Sequence, residues 1–119
     1  MHCISVYVTK DDGTFEDVPH LKIPQGFVLF TNKPKGLKKG RAVAYCETDY
    51  FGGAGQQTGK LWDKMKNKIF DQTSSYAVIN EALELLGVKR DEGKDEFDTI
   101  GLGNFRTNHD IDEEIYKKL

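Results

Sequence analysis

The stretch Gly59-Lys60-Leu61-Trp62-Asp63-Lys64-Met65-Lys66-Asn67-Lys68-Ile69-Phe70-Asp71-Gln72 decides which fold this chain adopts. Leu61, Met65 and Ile69, with Trp62 and Phe70, fit one stripe of a helix. Leu61-Trp62 and Ile69-Phe70, separated by the polar run 63–68, fit the two arms of a hairpin equally well. Gly59 and Asn67-Lys68 suit turns better than a helix interior, so the hairpin is the preferred reading. With a hairpin here, the strands come first along the chain and the helices last. That order predicts an α+β fold, a mainly antiparallel sheet covered by one or two helices, in place of an alternating parallel one.

Upstream, Ile4, Val6 and Val8 alternate with Cys3, Ser5 and Tyr7 across 2–9, the period of a strand with one buried face. Asp12-Gly13 is a turn signal, and Pro19 and Pro24 leave 14–25 as loop or edge strand. Residues 27–31 read as a short buried strand that runs into a loop over 32–40. The next strand is expected over 41–47, with Val43, Tyr45 and Glu47 on one face and Ala42, Ala44 and Cys46 on the other. Downstream, Ile79, Ala82, Leu83 and Leu86 mark the apolar face of a helix over 75–86, closed by a left-handed Gly87 and then Val88. A second helix is expected to start at Asp110 as its cap, with Glu113 at the reciprocal position and Ile111, Ile115 and Leu119 buried. Its Glu113/Lys117 and Glu114/Lys118 pairs have the spacing that supports a helix surface.

The 119 residues, 38% hydrophobic and 11% aromatic, suffice for one compact core, so 1–119 reads as a single domain. The longest apolar run is Phe27-Val28-Leu29-Phe30, far short of the roughly 20 residues of a membrane-spanning helix, and no signal peptide is read at the start. Cys3 and Cys46 are too few for a disulfide framework or a four-cysteine zinc site, and they read as free thiols of a reducing, cytoplasmic compartment. The formal charge of −2 conceals a strong pattern. Residues 1–32 carry a net −2, residues 33–68 carry +6 from nine basic against three acidic side chains, and 69–119 carry −6. The bland reading is solvated, mutually complementary surface; the sharper one is a basic middle third that faces an anion or an acidic partner.

No other segment is as unusual as Asp49-Tyr50-Phe51-Gly52-Gly53-Ala54-Gly55-Gln56-Gln57-Thr58-Gly59-Lys60. Clustered glycines mark positive φ or close approach, and bare consecutive amides can cradle an anion. Ala54 to Lys60 imitates a phosphate-binding loop, but Leu61 stands where a magnesium-binding hydroxyl belongs, which excludes nucleotide hydrolysis of that type. The same residues also read as a glycine-rich connection between two strands, with Tyr50 and Phe51 tucked into the core. As a site, the loop 50–60 would use Tyr50, Phe51, Gly52, Gly53, Gly55, Gln56, Gln57, Thr58 and Lys60 to hold a small anionic ligand or an acidic protein partner, with no cofactor. The alternative is a small enzyme with Cys46, or Glu47 and Asp49, as nucleophile or acid/base; it requires a thiol of lowered pKa or a carboxylate of raised pKa. A third is a homo-oligomer with Tyr50 and Phe51 at its interface.

His109, Asp110, Asp112 and Glu113 are crowded as metal ligands are, but Glu113 occupies the place of the sharp-turn glycine of a calcium loop, and no metal site is expected. The acidic run 91–98 reads as a solvated connection anchored by Phe97 and Ile100. Lys33, Lys35, Lys38, Lys39 and Arg41 form a basic loop without the interleaved aromatics of an RNA-binding strand, so specific nucleic acid is not the expected partner. The segments 44–57, 79–88 and 95–103 resemble those of small uncharacterised bacterial proteins, over the second half to two thirds of the chain. That resemblance implies no activity, cofactor or site residue; it points to a bacterial source.

Overall fold

The computed structural model describes residues 2–33, 41–51, 54–63, 68–74 and 77–117. One six-stranded antiparallel sheet carries the molecule, with β1 (Ser5–Lys10), β2 (Leu21–Ile23), β3 (Phe27–Phe30), β4 (Ala42–Phe51), β5 (Ala54–Asp63) and β6 (Lys68–Ser74) in the order β2-β3-β1-β4-β5-β6. Three helices follow: α1 (Val78–Leu86), α2 (Glu96–Thr99) and α3 (Asn108–Lys117). The expected α+β class is therefore observed. The stretch 59–72 is a hairpin, with Leu61 opposite Phe70 and Trp62 opposite Ile69; residues 64–67 lie outside the described residues. Gly59 sits in mid-strand and not at a turn.

The period of two sorts the strands into faces. Val6, Val8, Phe27, Leu29, Ala44, Cys46 and Leu61 point to the helices and form the main core with Ile79, Leu83 and Ile111. Val28, Phe30 and Val43 point the other way, where Phe15 covers them from the β1–β2 connection; the Phe15 and Phe30 rings meet edge to face at 4.9 Å. Arg41 ties this cover down, with its guanidinium 4.8 Å over the Phe15 ring and paired to Asp12. The Arg41 and Thr14 donors hold the Asp12 carboxyl well below the usual carboxylate range. The half of the outer face formed by β3, β1 and the start of β4 is thus closed, and the β4–β5–β6 half is not.

α1 starts at Val78, later than the expected 75, after Ala77 in the left-handed region at φ +68°. Ser75 and Tyr76 lie outside the described residues. Its end is as expected: Gly87 has φ +116°, and the Val88 N–H donates to the Leu83 carbonyl at 3.0 Å. A Cβ on Gly59 would run into the Val78 carbonyl, so the helix start rests directly on bare strand backbone.

α3 also departs from expectation. It begins at Asn108, and Thr107 caps it: Thr107 Oγ1 accepts from the Asp110 N–H at 3.4 Å, while Asp110 reaches back to the Arg106 N–H at 3.1 Å. Asp110 is therefore not the cap but a first-turn residue whose carboxylate reaches back past Thr107 to the preceding amide. Glu113 is left to pair with His109 at 2.9 Å. Lys118 and Leu119 lie outside the described residues. Asn108 clamps the helix to the first strand, accepting from the Ser5 N–H at 2.8 Å and donating to the Ser5 carbonyl at 3.0 Å. The run 91–98 is not simply a solvated connection, because Asp95 caps α2 and Glu96 is buried.

Gly59→Ala should destabilise the fold by about 1–3 kcal/mol, since rigid backbone has to move to admit one methyl; denaturant unfolding measures it. The Asp12 carboxyl has a lowered folded-state pKa, so its contribution is complete above the unfolded value and is lost as the pH falls through the lowered one. Asp12→Asn should accordingly flatten the acid limb of a stability-versus-pH profile and change little in its shape at neutral pH.

Candidate functional site

The stretch 50–60 is two paired strands and not a loop. Tyr50 and Phe51 end β4, residues from Ala54 onward open β5, and Phe51 is paired with Ala54. Gly52 and Gly53 lie outside the described residues, as does the Phe51 side chain. Strand periodicity then splits the remaining candidates between the two faces of the sheet.

Tyr50, Gly55 and Gln57 face the helix layer. Gln57 Nε2 donates to the Tyr50 hydroxyl at 2.9 Å, and Gln57 Oε1 accepts from the Ile79 N–H at 3.4 Å in the first turn of α1. A Cβ on Gly55 would collide with the Tyr50 ring. That ring lies edge-on to His2 at 6.4 Å, and His2 Nδ1 is 2.8 Å from Thr48 Oγ1. These residues fasten the chain start and α1 to the hairpin.

Gln56, Thr58 and Lys60 face away from the helices, with Glu47 and Asp49 on the neighbouring strand. The registers Lys60–Asp71 and Thr58–Thr73 add β6, and Tyr45–Lys60 and Tyr7–Tyr45 add β4 and β1. Together with Trp62 and Glu47, these side chains line an open groove of about 440 Å³. The Tyr7 and Tyr45 rings lie 5.0 Å apart, and the Tyr45 hydroxyl donates to Glu47 at 2.6 Å. Burial, then the adjacent Glu47 carboxylate, pushes the Tyr45 phenol above its ordinary value, so it stays a donor. Lys60 is 3.8 Å from Asp71, a long and partly exposed pair that contributes little to stability. Trp62 is 39% exposed, with the Lys33 ammonium 5.9 Å from its ring centroid, within cation–π range.

Cys46 is elsewhere. It is fully buried on the helix side of β4, and burial pushes its thiol up to about 12, the opposite of what a nucleophile needs. Among the described residues, no group of three or more His, Cys, Asp and Glu is placed to hold a metal ion. No described helix is long and apolar enough to cross a membrane.

Lys60, Thr58, Gln56, Glu47 and Asp49 were legible as candidates from sequence, but Tyr7, Trp62, Asp71 and Thr73 were not. In sequence Tyr7 stands only opposite the apolar face of its strand, and Tyr45 only on one face with Val43 and Glu47. Bringing them together takes the register of four strands, which no single segment encodes. No family model, no curated protein and no solved structure matches this chain.

Native protein treated with iodoacetamide should gain one adduct, at the exposed Cys3, and a second at Cys46 only in denaturant; intact-mass measurement counts them.

Proposed function

We propose that this protein is a small non-catalytic binding domain whose site is the open half of the outer sheet face. The carrying observation is Trp62, exposed on that face beneath the Lys33 ammonium and beside Lys60 in the register of β5. Two cations around one exposed indole suit a ligand that brings negative charge to an apolar ring. A cavity of about 440 Å³ is of small-ligand size, which favours a small anionic ligand. An acidic protein partner is the second reading, favoured by the groove's open position on a sheet face. The charge pattern supports both, because Lys33 and Lys60 belong to the basic middle third. Glu47 and Asp71 on the same face already have partners in the Tyr45 hydroxyl and Lys60, so neither carboxylate has to be met by the ligand. Free Cys3 and Cys46 support a reducing, cytoplasmic setting.

Trp62 is the sole tryptophan, so its emission reports directly on the groove. Titration with inorganic phosphate and, separately, with a polyglutamate peptide should give a saturable change for at least one, and Lys60→Glu should abolish it without lowering Tm. Silence towards both probes, or an unchanged response in K60E, would overturn the reading.

A further inference from the structure

Residues 89–91, between α1 and α2, are held at three successive positions by three different side chains. Gln25 clasps the Lys89 backbone: its Nε2 donates to the carbonyl at 2.5 Å, and its Oε1 accepts from the N–H at 2.9 Å. Arg90 Nε donates to Glu96 Oε2 at 2.6 Å, and the Asp91 N–H donates to Thr99 Oγ1 at 3.0 Å. Gln25 itself has φ +69°, a left-handed conformation that a non-glycine residue keeps only where its surroundings enforce it. This short connection is therefore built with more restraint than a solvent-exposed link between helices needs.

Glu96 is its unusual member. The side chain is 3% exposed, yet among the described residues its buried Oε1 has no hydrogen-bond partner, a costly state for a carboxylate oxygen and one that asks for a donor. Arg90 is 59% exposed, and among the described residues only its Nε is engaged. Both lie on an open depression of about 400 Å³ whose other lining residues are Glu84, Val88 and Lys89. Two cations, two carboxylates and one apolar side chain thus meet at one place on the helix side of the sheet, away from the outer groove.

A simple anion here would meet Glu84 and leave Glu96 Oε1 unpaired; a simple cation would meet Lys89 and Arg90. We propose that the depression is a second binding site, for the zwitterion of an aliphatic α-amino acid. The ligand carboxylate pairs with the Nη groups of Arg90 and with Lys89, its ammonium with Glu84 and Glu96 Oε1, and its side chain rests against Val88. Arg90 keeps its Nε bond to Glu96 Oε2 and offers its Nη groups to the ligand carboxylate, while a small displacement of the Glu96 side chain brings the buried Oε1 to the ammonium.

The test compares L-leucine with its two halves, isocaproate, which lacks the ammonium, and isoamylamine, which lacks the carboxylate. The readout is the NMR signal of the Arg90 Nε–H and the backbone amides of 88–91 in the full chain. L-leucine should shift them saturably, with each half binding at least about tenfold more weakly, the loss expected for one charge-assisted contact. Arg90→Gln should remove the response to L-leucine, and Glu84→Gln should bring L-leucine close to isocaproate. No saturable shift with L-leucine overturns the proposal. So does isocaproate binding as tightly as L-leucine, which would leave an anion site only. Both outcomes are read on the unsubstituted protein and do not depend on any variant folding.

Discussion

The fold depends on the contact between the start of α1 and the bare backbone of β5 at Gly59. Any side chain there would lift Val78 off the strand, because its Cβ would occupy the position of the Val78 carbonyl. With the helix seated, Ile79, Ala82, Leu83 and Leu86 all reach the sheet and are buried. Each large apolar side chain so removed from water contributes about 1.5–3 kcal/mol, which makes the seat of α1 a large part of what holds the long β4–β5 hairpin to the rest. The neighbouring residues serve the same contact. Gln57 meets the first turn of α1 with one end of its amide and the Tyr50 hydroxyl with the other, and Ala77 takes a left-handed turn to bring the chain in.

This contact explains which parts of the fold were legible in sequence. The strand over 2–9 and the helix ending at Gly87 each announce themselves locally, by a period of two or by an apolar stripe and a stop. The stretch 59–72 is the hairpin expected, although Gly59 and Lys68, which suggest turns in the sequence, are both paired strand residues. The glycines of 52–59 were harder, because a glycine needed for a turn and one needed for close packing look alike in one dimension. Gly55 makes room for the Tyr50 ring and Gly59 for α1, so a stretch with the look of a loop is mostly paired strand. At α3 the ambiguity is of the same kind: Thr107 and Asp110 are both good capping residues, and the Asn108 clamp to Ser5 across 103 positions is what sets the start. Glu96 was read as solvated because its neighbours are acidic; its burial follows from Asn80, whose Oδ1 accepts from the Phe97 N–H and draws the start of α2 onto α1.

The candidate groove was half legible for a related reason. Sequence proximity put Tyr50, Gln57 and Lys60 in one group, yet alternation sends Tyr50 and Gln57 to the helix side and Lys60 to the other. The true neighbours of Lys60 are residues across the ladder, Tyr45 on β4 and Asp71 on β6. A site on the face of an antiparallel sheet is assembled by register, and register is a property of pairs of strands.

The two halves of the outer face differ in a way that bears on what the groove is for. Where β3, β1 and β4 present Phe30, Val28 and Val43, the chain covers them with Phe15 and anchors the cover through Arg41 and Asp12. Where β4, β5 and β6 present Glu47, Thr58, Lys60, Asp71 and Thr73, no such cover is required, because these side chains are stable in water as they stand. Trp62 and Tyr45 are the exceptions. Tyr45 is half-buried and satisfied by Glu47, whereas Trp62 keeps more than a third of its surface exposed beneath a single lysine. A fold that buries Phe15, Phe30 and Val43 so completely a few ångströms away had the means to cover an indole. Trp62 lies opposite Val43 near the end of β5, and its exposure leaves an apolar ring at the margin of the polar groove, the surface on which the proposed ligand would rest.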